Sequence, residues 1–284
     1  MSIEDSTIGR SLGGRQKVIT PDHLHAFHRS LHAVATESFL EVHGSTIDDL
    51  MERSGDTYLW HREPGAAYAE SDILRSRIDA AGINPQARLA HGALGLLYAL
   101  ETAYLQSGDT PIRGLSDLRF VAPVFEGARL RSHVEEVIAG VAAFEVTSEQ
   151  TDLSPAEPSL AITGQVLYGS ISDTYDAARF ANLGEQQLFS LEEAIGILSA
   201  LIGLWVQGEG GRVLYMGQEL VIGGLVEVWD RIEADGAIVA SQPGKRAGRR
   251  TTTRVTVSAD RQGAHLPIAN GESILLYLEH QAAR

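Results

Sequence analysis

Two stretches of the chain carry apolar residues on nearly every face of a helical pattern. The first begins near His91-Gly92 and ends before residue 107. The second begins at Ser190, with Glu193 three residues later as in a capping box, and continues to residue 206. A helix that is apolar all round is buried on most of its sides. Both stretches are therefore predicted to be core helices.

A further helix is predicted upstream of these two. Thr20 can cap a helix and Pro21 fits the first helical position. Apolar residues at helical spacing continue irregularly to about Arg53, and the next three residues, Ser54-Gly55-Asp56, interrupt the pattern. We expect the chain to leave the helix there.

Alternating apolar and polar positions follow each core helix and predict strands. After the first helix they cover residues 118–121, 128–138, 142–147 and 160–168, and after the second they cover residues 214–222, 225–232, 251–258 and 273–279. Each half of the chain therefore has one long helix followed by four or more strands. This order is typical of an α+β fold.

The two halves also repeat in sequence. Residues 118–127 align with residues 214–223 at an offset of 96, and residues 163–168 resemble residues 270–275 at an offset of 107. An internal repeat fixes the architecture. We therefore predict two units, residues 1–170 and residues 171–284, in each of which a curved antiparallel sheet wraps a long central helix. Joining the two sheets at their edges would cover strands that are otherwise exposed.

Composition and charge limit the kinds of partner that the protein can bind. The 23 Lys and Arg against 37 Asp and Glu give a formal net charge of −14, which disfavours binding to the phosphates of nucleic acids. Cysteine is absent, so a disulfide framework and a thiolate nucleophile are excluded. The start of the sequence has no apolar signal region, and the longest apolar run is shorter than the ~20 residues of a membrane span. We expect a cytoplasmic protein that binds neither nucleic acid nor a membrane.

Four features of the first half occur in a familiar order. Asp56 and His61 are separated by four residues, a helix then opens with His91-Gly92, and residues 118–127 spell LRFVAPVFEG. In this order they resemble the MaoC-like (R)-specific enoyl-thioester hydratases and dehydratases, which have the hotdog fold. The resemblance covers most of residues 15–170 and implies a double hotdog with a degenerate second unit.

The resemblance implies reversible hydration of a 2-enoyl thioester, or dehydration of a 3-hydroxyacyl thioester, carried by CoA or an acyl carrier protein. Asp56 and His61 would be the catalytic pair, and the backbone N–H of Gly92 would hold the thioester oxygen. Histidine suits this chemistry because it accepts and returns protons near neutral pH. An N–H at a helix start is preorganised for the charge that develops on the oxygen. No cofactor is implied, and a homodimer of such chains is among the expected assemblies.

Neighbouring residues leave two interpretations open. Tyr58 and Trp60 stand where the family usually has Asn-Pro, and they either wall an acyl pocket or belong to the core. His91 either binds substrate or is an ordinary hydrogen-bonding residue at a helix start. The 30 positions from His61 to His91 are more than the family usually has.

A short basic run stands out on this acidic chain. It consists of Lys245, Arg246, Arg249 and Arg250. Arg246 and Arg249 are candidates for binding the phosphates of CoA or an acidic carrier protein, and the alternative is a solvated hairpin tip.

The sequence leaves two other functions open. A hotdog thioesterase could use Glu101 on the first core helix, and a noncatalytic subunit could bind acyl thioesters without turnover.

A zinc site is not expected. His25, His28 and His32 share a helix face, but one face rarely supplies the three or four converging ligands of zinc.

Overall fold

The computed structural model describes residues 11–12, 17–18, 39–54, 58–106, 112–150, 158–168, 212–222, 231–243, 248–261 and 263–278. Several features predicted from the sequence lie outside these residues. They are the helix from Thr20 up to residue 38 with its histidines, the second core helix, Asp56, Lys245 and Arg246. In the part of the chain that is described, no helix is long and apolar enough to span a membrane.

Five helices and eleven strands form the described structure. The helices are α1 (Gly44–Ser54), α2 (Leu59–Arg62), α3 (Ala66–Glu70), α4 (Asp72–Ala81) and α5 (Gly92–Gln106). The strands are β1 (Ser11–Leu12), β2 (Lys17–Val18), β3 (Leu40–Glu41), β4 (Ile112–Phe120), β5 (Ala128–Ile138), β6 (Val141–Gln150), β7 (Ser159–Tyr168), β8 (Arg212–Ile222), β9 (Arg231–Pro243), β10 (Arg249–Arg261) and β11 (Ala264–Leu278).

All the strands belong to one antiparallel sheet with two similar halves. The order is β1-β9-β10-β11-β8-β4-β7-β6-β5-β3, and β2 also pairs with β9. Outward from the central β4–β8 pair, one half continues with β7, β6 and β5, and the other continues with β11, β10 and β9. At this seam Gly114 pairs with Val221 and Arg119 pairs with Gly217. The two strands at the seam are those that the 96-residue repeat aligns.

Most of the predicted strands lie within the described ones, but one prediction was wrong at its end. We expected a strand over residues 225–232, whereas β9 begins at Arg231 and runs to Pro243; residues 225–230 lie outside the described part. The buried positions of β9 include Ala234, Gly236 and Ile238. Two of these three residues are small, so the alternation of apolar side chains that would have indicated the strand is weak.

Helix α5 packs against the inner face of β5, β6 and β7. Residues 93–101 are all buried, as the apolar pattern on every face predicts. Gly95 allows a close approach to the sheet, because a Cβ there would lie 2.5 Å from Cδ1 of Ile162. The packing places the start of α5, with His91 and Gly92, at one end of the core.

The residues between His61 and His91 fold into short helices with a second apolar core. Its most deeply buried large members are Trp60, Leu74, Ile78 and Phe125. Helix α4 is capped by Ser71, whose hydroxyl accepts a hydrogen bond from the Leu74 N–H at 3.3 Å. This second core supports α2, the helix that carries His61.

Candidate active site

His61 is held in one orientation by the backbone of a neighbouring segment. His61 as a whole is only 6% exposed, and Nδ1 lies 2.6 Å from the carbonyl oxygen of Leu89. Since a carbonyl only accepts hydrogen bonds, Nδ1 carries the proton. In the neutral ring the basic lone pair is therefore on Nε2.

The segment that holds His61 is itself fixed by an ion-pair network. The Arg88 guanidinium donates from Nε to Oε2 of Glu126 at 2.9 Å and from Nη1 to Oδ1 of Asp48 at 2.6 Å. The backbone next to it is bonded as well. The Glu126 N–H donates to the Arg88 carbonyl at 2.9 Å, and the Leu89 N–H donates to the Trp60 carbonyl at 3.0 Å. The Leu89 carbonyl is thus presented to His61 from a rigid position.

His91 caps the N-terminus of α5 with its side chain. The Ala93 N–H donates to Nδ1 of His91 at 3.0 Å, and the Leu94 N–H donates to the His91 carbonyl at 2.9 Å. The first N–H groups of a helix have no partner within the helix. His91 thus accepts hydrogen bonds from the N–H groups of Ala93 and Leu94. Among the described residues, the Gly92 N–H of this first turn has no such partner.

Gly92 lies against an aromatic ring from the end of β4. A Cβ at this position would lie 2.5 Å from Cε1 and 2.6 Å from Cδ1 of Phe120. The Phe120 ring in turn contacts the Tyr215 ring, with centroids 4.5 Å apart. The helix start, the end of β4 and the beginning of β8 therefore meet at one point.

The two histidine rings are neighbours, with centroids 5.1 Å apart. Tyr58 packs on His61 at a centroid distance of 5.5 Å, edge to face. Trp60 packs behind Tyr58 at 5.0 Å, is fully buried in the second core, and donates from Nε1 to Glu70 at 3.2 Å. Tyr58 therefore belongs to the wall of the site, whereas Trp60 supports that wall.

A cavity of about 1080 Å³ is lined by Tyr58 and the two histidines, and by residues from both halves of the sheet. The first half contributes Tyr58, His61, His91 and Gly92 together with apolar side chains that include Leu94, Leu118, Leu130 and Ile162. The second half contributes Tyr215, Gln218, Arg250 and Leu275, among others. Largely apolar cavities with a few convergent polar groups are typical of small-molecule sites.

The polar wall from the second half was not predicted from the sequence. The Tyr215 hydroxyl donates to Oε1 of Gln218 at 2.8 Å, and the Ser273 hydroxyl donates to the same oxygen at 2.7 Å. Burial raises the pKa of the Tyr215 phenol well above its ordinary value, so the hydroxyl stays protonated. The repeat could have indicated this wall, because Tyr215 lies on the strand that the repeat aligns with β4.

The other candidate residues lie at different places. Arg249 does not line the cavity, and its guanidinium lies 6.0 Å from the centroid of the Tyr277 ring. Its neighbour Arg250 is exposed and does line the cavity. Glu101 is fully buried on α5 and is not part of the cavity wall. Among the described residues, no three His, Cys, Asp or Glu side chains converge as metal ligands would.

No protein-family model matches the sequence, and no curated protein matches it. Similar solved structures include a protein described as a MaoC domain dehydratase from Chloroflexus aurantiacus, at 12% identity and a TM-score of 0.43, covering 96% of each chain. The tesB protein of Mycobacterium avium subspecies paratuberculosis is 10% identical with a TM-score of 0.44, covering 67% of this chain and 88% of that one. A dehydratase domain from the CurF module of the curacin polyketide synthase is 12% identical with a TM-score of 0.44, covering 68% of this chain and 86% of that one. One of these three structures carries the MaoC name in its description.

Proposed function

We propose that this protein reversibly hydrates a 2-enoyl thioester and dehydrates a 3-hydroxyacyl thioester. The observation that supports this most is the arrangement of His61. Its basic Nε2 is fixed by the bond from Nδ1 to Leu89, and its ring packs beside the helix start at His91-Gly92. In this proposal the chain is a double hotdog of residues 1–170 and 171–284, and the acyl group occupies the apolar part of the cavity.

In the hydration direction, His61 Nε2 accepts a proton from water while the water oxygen bonds to C3. The electron pair of the C2–C3 double bond shifts toward the carbonyl, so the charge of an enolate develops on the thioester oxygen. The Gly92 N–H donates to that oxygen, and a donor of this type stabilises the charge by about 3–4 kcal/mol. His61 then returns the proton to C2, and dehydration is the same sequence in reverse.

The proposed role of Asp56 is to orient the attacking water and the His61 ring. Its carboxylate can accept a hydrogen bond from the water, and from the Nε2–H of His61 once that nitrogen has taken up the proton. We expect Asp56→Asn to lower kcat by about 100-fold or more, because the amide can no longer balance the charge on a protonated imidazole. Steady-state kinetics on an enoyl thioester measure this, and a variant that keeps the full rate would exclude Asp56 from the pair.

The remaining candidates are proposed to bind the substrate. Tyr58 and His91 line the cavity beside His61, and Trp60 keeps the Tyr58 ring in place. Arg246 and Arg249 are proposed to bind the phosphates of CoA or an acidic face of an acyl carrier protein. A local basic run would be required for either partner, because the chain as a whole carries a net charge of −14.

The direct test is turnover of crotonyl-CoA and of a 3-hydroxyacyl group on an acyl carrier protein. We expect the enoyl absorbance to fall with the first substrate and to rise with the second. A folded protein that turns over neither would contradict the proposed function. Tight binding of acyl thioesters without turnover would instead identify a noncatalytic subunit.

Release of free thiol, measured in the same assay, distinguishes a thioesterase from a hydratase. The carboxylate candidate of the thioesterase, Glu101, is fully buried and outside the cavity wall, so we expect no release of free thiol from acyl-CoA. A thiol signal that disappears in Glu101→Gln would favour hydrolysis over hydration.

A further inference from the structure

A buried glutamine stands in the wall that the second half contributes to the cavity. Gln218 on β8 is 1% exposed and lines the cavity. In the register of the sheet it lies opposite Leu118 of β4 on one side and Ser273 of β11 on the other. Leu118 belongs to the apolar part of the wall. Gln218 is therefore the residue at which the wall changes from apolar to polar.

Three hydrogen bonds determine which way the amide of Gln218 is turned. Nε2 donates to the backbone carbonyl of Glu219 at 2.7 Å. A carbonyl only accepts hydrogen bonds, so the amide atom that faces it is the nitrogen. Oε1 accepts from the hydroxyls of Tyr215 and Ser273, at 2.8 and 2.7 Å. These two bonds use both lone pairs of the amide oxygen.

The amide nitrogen of Gln218 has a second hydrogen to donate. A side-chain amide carries two N–H groups on one nitrogen. In the described part of the chain, the Glu219 carbonyl is the one acceptor to which Nε2 is bonded. A buried donor without an acceptor is costly. Because Gln218 lines the cavity, a ligand in the cavity can supply the second acceptor.

The depth of Gln218 indicates which part of a thioester reaches it. Met216 and Arg250 also line the cavity and are exposed, so the cavity meets solvent beside them. The carrier of a thioester, whether CoA or a protein, stays outside the cavity, and the arm that joins it to the acyl group must pass this opening. The free end of the acyl group extends furthest inward, towards buried residues such as Gln218 and Leu118.

We propose that Gln218 selects acyl groups that carry an oxygen, in a keto or hydroxyl group, beyond C3 of the chain. The second N–H of its amide donates to this oxygen. The inference rests on the proposed function and names the class of its substrate. A site built to hydrogen-bond an oxygen of the substrate discriminates against an analogue that lacks it, because the buried donor is then left unpaired.

Keto analogues of one chain length test this selection. The measurement is kcat/KM of the wild type for 2-octenoyl-CoA and for three analogues with a single keto oxygen on C5, C6 or C7. The three positions scan the chain beyond the reacting carbons. We expect at least one analogue to be preferred over 2-octenoyl-CoA by about 10- to 100-fold. If none is preferred, the inference is overturned.

Gln218→Met removes the donor and keeps a side chain of similar length. We expect the ratio of the two kcat/KM values, preferred analogue over 2-octenoyl-CoA, to fall to about one. The ratio is measured within one protein, so a partly unfolded sample does not change it. An equal loss of rate on every substrate would mean that the amide acts on the arm they share, and would overturn the inference.

Ser273→Ala is a milder variant in case Gln218→Met does not fold. It removes one of the two hydroxyls that position the amide, so the ratio should fall in part. Thr253→Val is the matched control, because Thr253 lies opposite Ser273 on β10, is fully buried and does not line the cavity. We expect Thr253→Val to keep the ratio of the wild type. A ratio that falls as far in Thr253→Val as in the other two variants would contradict the assignment to Gln218.

The outcomes distinguish this inference from the proposed function. If the wild type turns over crotonyl-CoA but prefers no keto analogue, the inference alone fails. If the folded wild type turns over no thioester, the proposed function fails, and binding then tests the inference by itself. Calorimetric Kd values for octanoyl-CoA and its keto analogues should differ by about 10-fold or more in the wild type and not in Gln218→Met. Equal Kd values in the wild type would overturn the inference.

Discussion

At the scale of single residues, Gly92 is required by the ring beside it. A Cβ at Gly92 would lie 2.5 Å from Phe120, whose ring also packs on Tyr215. The backbone N–H remains in Gly92→Ala, so any loss of rate must come from displacement of the ring or of the helix start. We expect this variant to be destabilised by about 1–3 kcal/mol and to turn over more slowly.

The double variant Gly92→Ala with Phe120→Leu is the control for this explanation. The smaller side chain makes room for the methyl group, so much of the lost rate and stability should return. Thermal melts and enoyl absorbance measure the two effects. If Gly92→Ala alone has the melting temperature and the rate of the wild type, the contact with Phe120 is not the reason that glycine is required at this position.

The residues of the site differ in how far the sequence predicts them. His61, His91 and Gly92 were predicted because a short spacing and a helix start are local patterns, and the structure places them together. Their catalytic roles stay predictions. Gln218 and Ser273 were missed because they are 55 residues apart. Their hydrogen bond depends on the pairing of β8 with β11, which no local pattern encodes.

At the scale of elements, Arg88 ties helix α1 to the segment that holds His61. Its guanidinium is nearly buried between Asp48 and Glu126. In Arg88→Met both carboxylates lose their partner, so we expect a loss of about 2–3 kcal/mol in the free energy of unfolding. A looser Leu89 carbonyl should also lower kcat.

Arg254→Met is the matched control for Arg88. Arg254 lies 4.0 Å from Glu272 with both side chains well exposed, and exposed pairs of this kind contribute about 0–1 kcal/mol. Denaturant unfolding of both variants gives the comparison. An equal loss of unfolding free energy in the two variants would contradict the stronger contribution that we assign to Arg88.

The short helices between His61 and His91 are the main elements that the sequence pattern does not predict. Ser71 at the cap and Gly82 after the end, with φ of 68°, are signals that could have indicated α4. The apolar pattern of α4 is weak, since Leu74 and Ile78 are its only buried hydrophobic residues. Its fold depends on the second core, which Phe125 completes from far along the chain.

At the scale of the whole molecule, the β4–β8 seam joins the two halves that line the cavity. The repeat predicted two units, and their join at sheet edges was expected, but the register was not. Gly217 pairs with Arg119 at this seam, and a Cβ there would lie 2.6 Å from the Leu118 carbonyl oxygen. The obstacle is backbone, which cannot rotate away as a side chain can.

Gly217→Ala should therefore strain the seam. We expect a loss of about 1–3 kcal/mol in stability and a lower rate, because the cavity needs both halves. Met216→Ala is the adjacent control, since Met216 is 38% exposed and its removal should change stability by roughly 0.5 kcal/mol or less. Chemical denaturation measures both, and an unperturbed Gly217→Ala would contradict this account of the seam.

The central claim is that His61 Nε2 moves the proton in a cavity shared by both halves. His61→Asn tests it most directly, because the Asn amide can still donate to the Leu89 carbonyl but offers no basic nitrogen in place of Nε2. The measurement is the rate of crotonyl-CoA hydration by wild type and by this variant at saturating substrate. We predict an active wild type and a variant slower by about 100- to 10,000-fold at an unchanged melting temperature. A variant that hydrates crotonyl-CoA at the wild-type rate would contradict the claim.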